Sequence, residues 1–145
     1  MQVLHLKGRR ICHQSEVYTN QKCFIIPQSD PYLLGILNSR LTFFLFRIIL
    51  PKLRGEFYEP SYVYLKDFPI NSTNNTVEEK ALHDTIENYV EDMLRTKALI
   101  SKTTMDVEID RLQRRCDTLD RQIDEAVYAL YGLTVDEIQI IESNN

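Results

Sequence analysis

The sequence predicts an α+β fold that is predominantly helical. A small N-terminal β-sheet with two packed helices is followed by a long antiparallel, coiled-coil-like helical hairpin and a short terminal helix. Three observations predict it. Short apolar runs rich in β-branched residues and bounded by turn residues fill the first thirty positions. The stretch Pro31–Ile70 holds the densest apolar mass in the chain, punctuated by Asn38-Ser39, Pro51 and Gly55. From Ile109 to Leu130, apolar residues at 109, 112, 116, 119, 123, 126 and 130 alternate by +3 and +4 without exception.

In order along the chain, Val3–Leu6, Arg10–His13 and Lys22–Ile26 are the expected strands, the last closed by Pro27. Ser29 or Asp30 caps the first helix, with Pro31 at its first position, where a missing N–H costs nothing. Leu33, Leu34, Ile36 and Leu37 leave this helix little polar surface, so it is buried on most sides. Asn38-Ser39 ends or kinks it, and Ser39 caps a second segment, Arg40–Leu50. There Arg40 and Arg47 share one face, opposite Leu41, Phe44, Leu45 and Ile48. Pro51 stops the helix, Gly55 permits a tight turn, and Glu56–Ile70 returns as extended chain bent at Pro60.

Residues 71–75 (NSTNN) form a polar linker that divides residues 1–70 from residues 76–145. Thr76 and Glu79 make a capping box for a helix whose stripe runs Leu82, Ile86, Tyr89/Val90, Met93 and Ile100. A break at Ser101–Thr104 precedes the seam of Ile109, Leu112, Cys116, Leu119 and Ile123. Each such side chain gains roughly 1.5–3 kcal/mol on burial, so the seam demands a partner. The Thr76–Ile100 helix is the nearest, giving the antiparallel hairpin. Gly132 suits a left-handed C-terminal position, and Thr134 with Glu137 opens the last helix.

At 145 residues the chain forms one domain, or a small domain with an appendage. Hydrophobic content of 43% and charged content of 26% exclude wholesale disorder. Three cysteines without framework spacing predict reduced thiols and a cytoplasmic location. Lys7 to Arg10 interrupt any signal-peptide core, and Asn38, Arg40 and Arg47 argue against a membrane span through Tyr32–Leu50. The net charge of −4 conceals a split. Residues 1–70 carry nine Lys/Arg against five Asp/Glu, and residues 71–145 carry eight against sixteen. Only the first half can face phosphates broadly.

The sequence holds no P-loop, GxGxxG turn, nucleophile elbow, HExxH or paired CxxC. His5, Cys12, His13 and Cys23 have the spacing of no standard zinc site and are expected as strand residues. Cys116 sits in the seam as a small apolar filler, and His83 lies on the polar side of a surface helix. The chain is therefore not expected to be an enzyme by itself, and it needs no cofactor or metal. What remains are contacts: Arg9 and Arg10 beside Gly8, and Lys52 and Arg54 beside Gly55, are basic residues at turns that can approach a phosphate backbone. Arg40 and Arg47 are the further basic candidates. Solvated surface charge is the plain alternative for all six.

The run YLLGILNSRLTFFLFRIILPKLRGEFYEPSYVYLKDFPI resembles the TaqI-like C-terminal specificity domain of adenine-specific DNA methyltransferases and of type IIG restriction–modification enzymes. The YLLGILNS helix, a second aromatic helix, the KLRG turn and the FPI ending carry the likeness. The tail Leu119–Ser143, with its LYGL turn and short acidic helix, resembles the ending of these enzymes and of type I specificity subunits. The resemblance spans roughly residues 18–143. It implies a bacterial target-recognition module that grips double-stranded DNA beside a methyltransferase domain or subunit. That domain would carry S-adenosylmethionine and an Asn-Pro-Pro-Tyr/Phe motif, with or without a fused endonuclease. No such motif stands here, since the prolines are 27, 31, 51, 60 and 69. The expectation is thus the distal part of such a module, with residue 1 as a boundary inside a larger fold. A second expectation is a self-association or scaffold module that homodimerises through residues 76–131, or a type I specificity-subunit fragment, without its own DNA binding.

Overall fold

The computed structural model describes residues 2–3, 25–26, 29–53, 57–58, 62–71 and 76–144. Two-residue strands β1 (Gln2–Val3) and β2 (Ile25–Ile26) pair antiparallel, Gln2 opposite Ile26. Helix α1 (Pro31–Asn38) follows, capped by the Asp30 carboxylate, which accepts from the Leu33 N–H at 3.0 Å. Helix α2 (Arg40–Ile49) starts one residue later, at a bend of 60°. Ser39 makes the bend. Its hydroxyl accepts from the Thr42 N–H at 3.2 Å and donates to the Ile36 carbonyl at 2.7 Å. Thr42 Oγ1 donates to the same carbonyl at 2.6 Å, and Asn38 Nδ2 to the Leu34 carbonyl at 2.8 Å. The two hydroxyls join the Ser39 N–H on the Ile36 carbonyl, one of those left without an i+4 partner where the helix breaks.

Strands β3 (Lys52–Leu53) and β4 (Phe57–Tyr58) form a second antiparallel pair, Lys52 opposite Tyr58. The one-turn helix α3 (Tyr62–Leu65) comes next. After the linker, α4 (Val77–Ile100) and α5 (Asp106–Leu130) form the hairpin, and α6 (Val135–Ser143) closes the chain. Both expected capping boxes are present, Thr76 with Glu79 and Thr134 with Glu137. Gly132 has φ of +63°, the left-handed value expected after a helix end.

The core lies where α1 crosses the hairpin. Tyr32, Leu34 and Ile36 of α1 bury against Ile86 and Val90 of α4 and Ile123, Ala126, Val127 and Leu130 of α5. Further along the hairpin, Met93 meets Cys116 and Leu119 in a second cluster. Leu112, Cys116, Leu119 and Ile123 are all buried, and Ile109 is half-buried, so the seam is covered by α4 of the same chain. Burial raises the Cys116 thiol pKa above its ordinary value and keeps it in the unreactive thiol form. No single described helix is long and apolar enough to cross a membrane. The α1–α2 pair meets that test of length and composition together, but only across its bend.

Three expectations need correction. The small N-terminal β-sheet is not seen among the described residues, where β structure amounts to two isolated two-residue pairings. Short apolar runs do not distinguish strands from other buried segments, and a lone pair of strands has little stability of its own. Nearly all described apolar burial is instead helix on helix. The expected strand Arg10–His13 lies outside the described residues. Tyr62–Leu65 is helical rather than extended, because β-branched and aromatic residues favour strands only where a sheet receives them. The buried face of α2 is Leu41, Thr42 and Phe46, whereas Ile48 is 66% exposed. Helix α2 packs on both α1 and the C-terminal helices, which rotates its inner face away from the simple stripe.

Candidate nucleic-acid interface

The basic residues proposed for DNA fall into two groups. Lys52 stands in β3, directly after exposed Pro51. Arg9, Arg10 and Arg54 lie outside the described residues. Arg54 falls in sequence between β3 and β4, so the antiparallel pairing puts Lys52 at the base of a short hairpin beyond the end of α2.

Arg40 and Arg47 are engaged elsewhere. The Arg40 backbone N–H donates to Asp124 Oδ1 at 2.8 Å, and its Nε lies 3.2 Å from Asp124 Oδ2. A guanidinium nitrogen of Arg40 also pairs with Glu142 of α6. Asp124 is 4% exposed, so its negative charge is held at the α2 N-terminus, where helix dipole and guanidinium both favour it. Arg47 donates to the Asn144 backbone carbonyl. The seven-residue spacing therefore does align the two arginines, and it aligns them on the C-terminal segment. The sequence signal for Asp124 was slight: one carboxylate inside an acidic helix, adjacent to a seam position.

A second arrangement fixes the end of the aromatic segment. Phe68 packs on Phe46 with ring centroids 5.2 Å apart. Tyr32 Oη donates to the Asn71 carbonyl at 2.5 Å. Tyr131 Oη donates to the Pro69 carbonyl at 2.7 Å and accepts from the Asn71 N–H at 3.1 Å. Two tyrosines from α1 and the end of α5 thus hold Pro69–Asn71. Burial, followed by the nearby Tyr131 hydroxyl and the Asp30 and Glu79 carboxylates, pushes the Tyr32 pKa up to about 12. Burial also raises Tyr131, partly offset by the Asn71 N–H.

The raised Tyr32 value has a direct consequence for alkaline stability. A neutral phenol favoured by the fold contributes fully below the unfolded pKa near 10 and is lost as pH rises toward 12. The stability advantage of the wild type over Tyr32→Phe is expected to shrink by about 2–3 kcal/mol between those pH values. Urea titrations of both proteins across that range measure it. A difference that stays constant with pH overturns the assignment.

His83 is less idle than its position on α4 predicts. Its ring stacks on Tyr32 at 4.1 Å between centroids, and Nδ1 lies 3.4 Å from Asp84 and 3.8 Å from Glu87. His83 and Glu87 border a shallow, open depression with Ser29, Asp30 and Pro31. Tyr64 is 41% exposed on α3.

Residues 9–70 match the model of the TaqI-like C-terminal specificity domain. This stretch, under half of the chain, is similar to that domain. No curated protein and no solved structure gives a match.

Proposed function

We propose that the chain is the distal part of a DNA target-recognition module, one that grips duplex DNA beside an adenine-specific DNA methyltransferase domain in the cytoplasm. The family match over residues 9–70 carries this reading. The charge split supports it, since the matched half is the basic one. Lys52, Arg54, Arg9 and Arg10 serve as backbone contacts that set register on the duplex without reading bases. The acidic α4–α5 hairpin faces protein, packing on the catalytic domain or subunit. S-adenosylmethionine and the methyl-transfer chemistry belong to that domain, and an endonuclease can accompany it. Arg40 and Arg47 leave the list of contacts, because Asp124, Glu142 and the Asn144 carbonyl already occupy them.

Duplex binding by the chain, or by a parent that contains it, is expected to weaken steeply with salt. Neutralising one phosphate contributes about 0.9 to the slope of log affinity against log salt. Lys52→Ala with Arg54→Ala is expected to lower that slope by about two, with affinity reduced similarly for all sequences. Filter binding across a salt series checks both. Salt-insensitive or absent binding by the unmutated protein sinks the reading.

A further inference from the structure

We infer that α6 is a releasable clasp on α2, fastened by charged and polar contacts, whose undocking loosens the helix that leads into the Lys52 hairpin. The contacts are unlike those of the rest of the fold. Only Ile141 of α6 is buried, with Ile138 half-buried against the core. Val135 is 79% exposed and Ile140 52%. By contrast, α4 and α5 bury a continuous apolar seam.

What fastens α6 is a set of polar links that converge on few residues. Glu142 pairs with Arg40 in the first turn of α2 and accepts from the Tyr128 hydroxyl at 2.8 Å. The Asn144 carbonyl accepts from Arg47 in the last turn of α2. One short helix therefore ties down both ends of its neighbour. The Glu142 side chain is 37% exposed and that of Arg40 29%, so dissolved ions reach this pair. The hairpin has an exposed ion pair of its own, Arg115 with Asp92 at 3.1 Å, but there it lies beside a buried apolar seam that does not depend on ions. Segments held by few apolar contacts and by exposed polar links open before the rest of a fold, as separate units.

Release of α6 frees Arg40 from one of its two carboxylate partners and Arg47 from its carbonyl. Arg40 keeps Asp124, so the start of α2 stays attached to α5 while its far end is untied. That far end runs through Leu50 and Pro51 into β3. The clasp thus acts on the position of the Lys52 hairpin. It is a property of the fold and holds whether or not that hairpin meets DNA.

Hydrogen exchange read by mass spectrometry on the full chain tests it. Backbone amides of α6 are expected to exchange at least about tenfold faster than those of the α4–α5 seam. Raising salt to about 1 M, where screening acts within about 3 Å, is expected to widen that gap. Glu142→Gln is expected to speed exchange in both α6 and α2 while the seam is unchanged. Arg47→Gln, an exposed and milder change, is expected to do so in α6 and in the last turn of α2 only. Exchange of α6 in one step with the seam overturns the inference. So does a Glu142→Gln protein whose α2 exchanges as in the wild type.

Discussion

Replacing Arg40 by alanine is expected to lower the unfolding free energy by about 3 kcal/mol, the usual cost of taking one partner from a buried ion pair. The Asp124 carboxylate is 4% exposed and stays in place when the guanidinium goes. It keeps the Arg40-position backbone N–H, but loses the charge opposite Oδ2 at 3.2 Å. Glu142 loses its charged partner as well but keeps the Tyr128 hydroxyl, and at its partly exposed site water takes the place of the guanidinium. Asp124→Asn in the alanine background is expected to recover part of the loss, since a neutral amide costs less to bury than a carboxylate. Denaturant titrations of the two single variants and the double variant supply the cycle. A loss below about 1 kcal/mol for Arg40→Ala means that the pair behaves as an ordinary surface contact.

Gly35→Val is expected to be at least as damaging. Gly35 faces the hairpin from the middle of α1, and a Cβ there would stand 2.6 Å from Ile86 Cγ2 and 3.0 Å from Val90 Cγ2. Ile86 is fully buried and Val90 is 3% exposed, so neither side chain has room to retreat. Overpacking of this kind costs about 1–3 kcal/mol for a modest excess of volume and more for a branched side chain. Alanine is the informative comparison. It gains roughly 1 kcal/mol of helix propensity over glycine, which offsets part of the clash. Gly35→Ala is therefore expected to lose about 1 kcal/mol net, and Gly35→Val about 3 kcal/mol or more. Thermal melts rank the three proteins. An alanine variant more stable than the wild type shows that α1 and α4 can separate without cost.

Much of the helical framework was legible because its signals are local. Asp30, Ser39, Thr76 and Thr134 each cap the helix that their position predicts, since an N-cap requires only a side chain within three residues of a free N–H. The α5 seam was legible for the same reason: periodicity alone places Leu112, Cys116, Leu119 and Ile123 on one side. What the sequence hid depends on distant partners. Arg40 and Asp124 are 84 residues apart, and nothing local distinguishes Arg40 from a solvated arginine. Gly35 gives the same lesson, because a glycine inside a helical pattern does not announce the helix that crosses it. The N-terminal sheet was misjudged for the opposite reason: of the expected strands, the described residues show only Gln2–Val3 paired with Ile25–Ile26, and a short apolar run promises a sheet only if neighbouring strands complete it.

The two tyrosine hydroxyls on Pro69–Asn71 bear on how such domains can be recombined. The polar linker at residues 71–75 invites a splice between the family-matched segment and the helical pair. Yet Tyr32 and Tyr131 reach this point from the two sides of that junction, and Tyr32 sits in a core shared with α4 and α5. A chimera joined anywhere in the linker inherits half of this fastening from each parent. Grafts between relatives will seat only where donor and recipient agree on both phenols and on the glycine-sized groove above Ile86. The practical unit of exchange is therefore the segment together with the helical pair beneath it.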